Sequence, residues 1–336
     1  MTDLRAGLVG LGMMGRNHAR VLASLDVVEL VGIADPTGGV SGAAPHGVPV
    51  VPDLEALLAL GVDYAVVATP TRFHLDLALA LADAGVAALI EKPLTTDVAS
   101  ASRIAEAFAD KGLIGAVGHI ERYNPALQQA RTRIAKGDLG EVYQIITRRQ
   151  GPFPGRIADV GVILDLATHD IDLTAWVAQQ PFRSVAAKTA HRSGRRHEDL
   201  VSITGELANG TVTNHLVNWL SPMKERVTVI TGEKGTFVAD TLTADLTYYE
   251  NGIVQTEWSD VARFRGVTEG DITRFAFPKV EPLRLEHESF RDALLGKDSD
   301  IVTLEQASAT VAVAVAVEES AMSGRTVTID AKGSGL

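Results

Sequence analysis

The chain has 336 residues, 46% of them hydrophobic and 22% charged, with a formal net charge of −11 and no cysteine. That length favours two domains over one core, and the acidic balance excludes nucleic acid as the main partner, because no positive field would draw a polyanion in. Without cysteine there are no disulfides, thiolate metal sites or thiol nucleophiles, so redox chemistry has to come from a cofactor.

The first apolar run, 4–10, follows directly on Asp3 with no basic, apolar and small-residue succession of a secretory leader, so a cytoplasmic location is expected. It leads into Gly10-Leu11-Gly12-Met13-Met14-Gly15 and a helical stretch at 16–25. A second run, 28–35, ends on Asp35. Strand, glycine turn, helix and an acid about twenty residues on form a dinucleotide fingerprint: one glycine makes the tight turn, one admits the pyrophosphate, and one lets helix and strand pack closely. Met13 and Met14 belong to that cofactor-binding turn, and the helix start offers N–H groups to phosphate. Asp35 is placed to accept a ribose 2′-hydroxyl and would repel a 2′-phosphate, and Pro36-Thr37 supply no arginine, so NAD is favoured over NADP. His18 reads as a helix-surface histidine.

The alternation continues with helical stretches at 54–60, 73–84 and 97–110 and apolar runs at 64–69, 87–91 and 114–118. Such βαβ grammar predicts a parallel sheet with helices on both faces. Strand C-terminal ends in such sheets face the ligand crevice. Glu91-Lys92-Pro93 ends one of them, which places the Lys92 ammonium by a nicotinamide. His74, just after Thr69-Pro70, is a further candidate for the cofactor. His119-Ile120-Glu121-Arg122-Tyr123-Asn124 ends the next strand, with Arg122, Tyr123 and Asn124 as candidate substrate contacts; an interdomain salt bridge is the alternative for Arg122.

Beyond Pro125 the pattern changes. Helical stretches near 126–136 and 166–178 flank a polar strand at 141–150, followed by strand-like segments at 183–190, 199–205, 211–219, 226–232, 236–240, 244–250 and 253–258. Leu200 to Thr204 alternate apolar and polar, as a half-buried antiparallel strand should. Asp165 and His169, four apart in a helical stretch, share a face. A carboxylate that orients an imidazole makes a general base; a core histidine or a metal pair are the other readings, and no third ligand stands at metal-binding spacing, so no metal is expected. Late helices are expected at 282–294 and 304–323; the Val/Ala-rich 307–317 is too short for the ~20 residues that cross a bilayer, and Thr303, Gln306 and Gly324 mark it as a buried helix.

These segments give an α/β fold: a doubly wound Rossmann domain at 1–124, an α+β domain with a large open, mostly antiparallel sheet at 125–330 whose late helices pack back on the first domain, and a frayed tail at 331–336. The exposed sheet face predicts a homodimer or homotetramer.

In order and spacing, the glycine turn at 10–15, Ala68-Thr69-Pro70, Glu91-Lys92-Pro93 and the Asp165 to His169 pair, extended through Asp172, resemble the glucose–fructose oxidoreductase/inositol dehydrogenase/MocA family over nearly the whole chain. Where that family has an Arg-rich stretch after the sixth strand, this chain reads His119 to Asn124. The resemblance implies NAD(P)-dependent oxidation of a sugar or cyclitol, with Lys92 and His169 on the reacting hydroxyl, Asp165 behind His169, and Thr69, Pro70, Glu91 and Lys92 along nicotinamide and ribose. Within the family, segments 117–126, 218–235 and 281–286 are similar to UDP-N-acetylglucosamine 3-dehydrogenases, in which case Lys224 and Arg226 reach a diphosphate or are surface charges. A free-sugar or inositol dehydrogenase, a non-catalytic NAD sensor and an NAD-dependent glycosidase are the alternatives.

Overall fold

The computed structural model describes residues 3–38, 44–155, 160–252 and 268–329, which divide into two compact units. The first comprises residues up to Ile120 together with Glu281–Val315; the second comprises Glu121–Val280 with the segment from Ala316.

In the first unit six parallel strands take the order β3-β2-β1-β4-β5-β6, where β1 is Leu4–Val9, β2 Val28–Ala34, β3 Val50–Val51, β4 Tyr64–Val67, β5 Ala87–Glu91 and β6 Gly115–Gly118. The order reverses between β1 and β4, which is where a doubly wound sheet binds its ligand. Period-2 alternation sorts the strands onto two cores. Ala6, Leu8, Tyr64, Val66, Ala87 and Leu89 face helices α1 (Met13–Leu22) and α7 (Pro282–Leu294), whose Leu283 and Phe290 join that core. Ala65, Val67, Ala88 and Ile90 face α3 (His74–Asp83), α4 (Val98–Asp110) and the start of α8 (Leu304–Ser323). The Val/Ala-rich segment is therefore a helix, opened by the Thr303 hydroxyl, which accepts the Gln306 N–H at 3.3 Å. The short α2 (Leu54–Leu58) is capped by Asp53 and α4 by Asp97. β3 is too short to leave a sequence pattern.

The second unit is a nine-stranded sheet in the order β14-β13-β12-β11-β7-β10-β9-β8-β15. Its strands are β7 Val142–Pro152, β8 Phe182–Ala190, β9 Leu200–Leu207, β10 Val212–Asn218, β11 Leu220–Gly232, β12 Gly235–Asp240, β13 Asp245–Gly252, β14 Thr268–Arg274 and β15 Val327–Thr328. All pairs are antiparallel except β7 with β10. Helices α5 (Pro125–Ala135) and α6 (Thr168–Ala178) cover one face, on which Ile145, Ile230, Phe237 and Leu246 pack against Leu127, Leu173 and Trp176. The other face carries Val212, Leu216, Tyr249 and Ile272, exposed by 36–65%. The strand expected at 253–258 and the tail expected from 331 lie outside the described residues. β14 and β15 were not legible in the sequence; each is an edge strand held mainly by its one neighbour. No helix among the described residues is long and apolar enough to cross a membrane.

Candidate active site

The glycine turn closes the end of β1. Gly10 has φ +94°, and a Cβ there would lie 2.6 Å from the Ala68 carbonyl; a Cβ on Gly15 would lie 2.0 Å from the Gly10 carbonyl oxygen. Both positions are therefore barred to any side chain by the protein itself. Gly12 differs, because a Cβ there would meet nothing within 4 Å. It is the N-cap of α1, with no side-chain cap and no acid in the first turn, so its helix start keeps donors and partial positive charge for an anion. Thr69 packs its methyl group on the Gly10 side of this turn and has a buried hydroxyl without a hydrogen-bond partner. Asp35 closes the other side: one carboxylate oxygen accepts the Leu11 N–H at 2.8 Å and the other accepts from the Thr37 N–H and hydroxyl. An uncapped helix start, a bare Gly12, an orphaned hydroxyl and an anchored acid suit a dinucleotide.

At the end of β5, Glu91 is held from two sides. One oxygen lies 2.9 Å from His18 Nε2, and the other accepts the Lys92 backbone N–H at 3.0 Å. Burial pushes the Glu91 carboxyl up, but the hydrogen bond and charge of His18 and the charge of Lys92 outweigh it and hold it below the usual carboxylate range. His18 Nδ1 in turn lies 2.8 Å from His287 Nε2 on α7. His18 is fully buried, which corrects the surface reading: its position on α1 faces the sheet, where Glu91 and His287 satisfy both ring nitrogens. Glu286, next to His287, is a buried carboxyl without a hydrogen-bond partner; burial first, then the Glu91 charge, raise its pKa well above the usual value. His74, expected at the cofactor, is also fully buried. Its Nε2 lies 3.0 Å from the Thr69 carbonyl and its Nδ1 3.0 Å from that of Pro93, so it braces the turns after β4 and β5. Lys92 follows this braced strand end, and Met13, Met14 and Pro70 border the glycine turn without entering the core.

In the second unit, Asp165 lies in a π-helical turn, Ile163–Ala167, that runs into α6 at Thr168. The wider turn changes the simple four-residue register expected for Asp165 and His169, and such turns concentrate at functional sites. The turn is anchored by Glu198, which accepts the Ile163 N–H at 3.0 Å; Gly161 leaves the room, since a Cβ there would lie 1.9 Å from that carboxylate. Asp165, His169, Asp170 and Asp172 are all buried, at 1–8% exposure. Burying that much charge requires partners. Arg122 forks onto Asp172 with bonds of 2.8 and 2.7 Å. Arg149 donates to Asp170 at 2.9 Å and to Glu121 at 2.7 Å. Burial raises the Asp170 pKa despite Arg149, whereas Glu121, also pushed up by burial, is carried below its usual range by Arg149 and Arg226.

Two of the expected substrate contacts also serve the fold. Arg122 pairs with Asp172, and both lie in the second unit, whose boundary falls at Glu121. Asn124 caps α5 through the Ala126 N–H and donates to the Thr241 carbonyl, so both ends of its amide serve the fold. Tyr123 is buried beside them. Sequence reasoning missed His287, Arg149, Asp170 and Glu198. Only Arg149 left a signal, since it continues the inward period-2 series Ile145, Thr147 of β7 with a charged residue. Among the described residues no cluster of His, Asp and Glu has the arrangement of a metal site.

Comparison with known proteins is consistent with this geometry. Residues 4–119 match the model of an oxidoreductase family with an NAD-binding Rossmann fold, GFO_IDH_MocA, and residues 127–238 match the C-terminal domain model of the same family. A UDP-N-acetylglucosamine 3-dehydrogenase of Acidithiobacillus ferrooxidans is 34% identical over 217 residues, 64% of this chain and 66% of that one. Inositol 2-dehydrogenase 4 of Saccharopolyspora erythraea is 32% identical over 226 residues, 62% and 65% of the two lengths. The solved structure of the A. ferrooxidans UDP-N-acetylglucosamine 3-dehydrogenase GnnA superposes with a TM-score of 0.83 at 26% identity, covering 96% of this chain and 99% of that one. With both domain models matched in order, the chain belongs to the glucose–fructose oxidoreductase/inositol dehydrogenase/MocA family of NAD-binding oxidoreductases.

Proposed function

We propose that this protein is an NAD-dependent dehydrogenase that oxidises a secondary ring hydroxyl of a sugar nucleotide, in the manner of a UDP-N-acetylglucosamine 3-dehydrogenase. The observation that carries this reading is the investment of buried charge around one helix: Asp165, His169, Asp170 and Asp172 within eight residues, braced by arginines. Cores do not retain such a cluster for packing alone, because burying it costs stability. The glycine turn, Thr69 and Asp35 would hold the cofactor, whose part when bound is to accept hydride. His169 takes the hydroxyl proton, Asp165 supports the resulting imidazolium, and Lys92 stabilises negative charge growing on the oxygen.

The sugar-nucleotide reading draws on the 34% identity to the A. ferrooxidans enzyme. The second reading, an inositol dehydrogenase, draws on the 32% identity to the S. erythraea enzyme. The apolar outer face of the nine-stranded sheet supports a homodimer or homotetramer in which copies cover that face.

NADH formation at 340 nm from NAD with UDP-N-acetylglucosamine, myo-inositol or glucose separates these readings. Signal with the nucleotide sugar alone is expected; signal with inositol alone transfers the protein to the second reading. Lys92→Ala and His169→Ala are each expected to lower kcat at least ~10²-fold while NAD still binds, and unchanged turnover in either would remove that residue from the chemistry.

A further inference from the structure

Arg226 lies on β11 directly opposite Arg149 of β7. Along this strand pair the inward-facing residues run from Ile145 opposite Ile230, through Thr147 opposite Thr228, to the two arginines. Like charges directly opposite each other are unfavourable, so each needs an acid. Three acids of this cluster are already hydrogen-bonded to arginines other than Arg226. Asp172 receives the Arg122 fork, and Asp170 and Glu121 are both hydrogen-bonded to Arg149. Arg226 is left with a share of Glu121 at 3.8 Å, beyond hydrogen-bond length, and its guanidinium makes no hydrogen bond among the described residues. Burial and the neighbouring Arg149 lower its pKa, opposed by Glu121, Asp170 and Asp165. The influence of Asp165 puts Arg226 within electrostatic reach of the proposed base turn. Its side chain is still 26% exposed, whereas that of Arg149 is 2% exposed.

An arginine that opposes another arginine, lacks a hydrogen-bonded acid and remains partly exposed contributes little to the fold for its cost. We propose that Arg226 is a specificity-determining residue that receives an anionic oxygen group of the substrate, phosphate or carboxylate, and so favours charged sugars over neutral polyols. The planar fork suits bidentate recognition of either group, which a lysine point charge does not match. This deepens the dehydrogenase reading and rests on it for the nature of the substrate.

The test uses the full chain with saturating NAD and the variants Arg226→Gln and Arg226→Lys. UDP binding is measured by calorimetry and thermal melting by spectroscopy; kcat and KM are measured with UDP-N-acetylglucosamine, with glucuronate as the carboxylate arm and with myo-inositol as the neutral arm. Arg226→Gln is expected to melt no lower than the parent, because it removes the charge facing Arg149. It should weaken UDP binding roughly 10–100-fold, the loss of one charge-assisted contact, and raise KM for the nucleotide sugar to match. Arg226→Lys should fall between. If only glucuronate kinetics respond, the group read is a carboxylate. A lower melting temperature with unchanged UDP affinity and unchanged KM for both charged substrates would overturn the proposal and make Arg226 a structural partner of Glu121. Arg226-dependent UDP binding without oxidation of any sugar would defeat the dehydrogenase reading and leave the anion site standing; oxidation of the nucleotide sugar indifferent to Arg226 would do the reverse.

Discussion

Gly12 and Gly15 stand three residues apart in one motif and answer to different constraints. At Gly15 the obstacle is the protein's own Gly10 carbonyl, 2.0 Å from a notional Cβ; at Gly12 nothing within 4 Å obstructs one. Gly15→Ala is therefore expected to destabilise the protein by about 1–3 kcal/mol, the cost of forced overpacking. Gly12→Ala should unfold within about 0.5 kcal/mol of the parent and yet bind NAD at least ~10-fold more weakly. Urea unfolding with an NAD titration of both variants checks the pair, and normal NAD affinity in Gly12→Ala would remove that position from the cofactor site. The same scale explains His18. Replacing it by leucine takes a hydrogen bond from a half-buried carboxylate, and His18→Leu should cost about 1.5–3 kcal/mol. Adding Glu91→Gln should recover part of that loss, because the group left unpaired then carries no charge; a double-mutant cycle showing no coupling would mean that the 2.9 Å contact carries no energy.

At the scale of elements, the π-helical turn Ile163–Ala167 carries Asp165 through one wide turn before α6 continues from Thr168. Such a turn is held by its surroundings. Here the hold is Glu198, whose carboxylate accepts the Ile163 N–H and whose backbone carbonyl accepts the Val162 N–H, with Gly161 leaving the space for it. Glu198→Ala is expected to cost about 1–2 kcal/mol of stability but to lower kcat at least ~10-fold, since small misplacements of a proton acceptor are costly in rate. Gly161→Ala should reproduce the kinetic defect by displacing the same carboxylate. Full activity in both variants would show that the turn holds its shape without them.

At the scale of the whole molecule, buried histidines make stability fall as the solution is acidified. Burial lowers the His215 pKa from its usual 6.5 to about 3, as it sits fully buried on β10 against Thr147. Burial, then the neighbouring His18, also push the His287 pKa well down in the first unit. For a histidine with a depressed folded pKa the sign is fixed: the unfolded chain binds the proton first. The contribution of His215 to stability is intact above pH 6.5 and is lost as pH falls towards about 3, by up to about 1.4 kcal/mol per pH unit. His215→Gln removes that titration. The loss of stability between pH 7 and pH 5 should then be about 2 kcal/mol smaller than in the parent, measured by urea unfolding at the two pH values; an unchanged loss would mean that His215 is not buried neutral.

The sequence by itself determined the features that local pattern encodes. Period-2 apolar runs joined by amphipathic helices dictated the doubly wound sheet, and Gly10, Gly12, Gly15 and Asp35 declared a dinucleotide turn because its geometry is made within thirty residues of chain. The strand end that precedes Lys92 was legible, and so was the helix of the Val/Ala-rich segment from its Thr303 cap. The tertiary structure alone decided which charges meet. His18 finds His287 across 269 residues and Arg122 finds Asp172 across 50, so neither pairing leaves a trace in local spacing. The protein partners of Arg122 and Asn124 were not legible, because a polar side chain after a strand reads the same whether it faces a substrate or a buried acid. Arg149 and Arg226 become neighbours only through the register of β7 with β11, and register is fixed by the buried face of the finished sheet rather than by either strand alone.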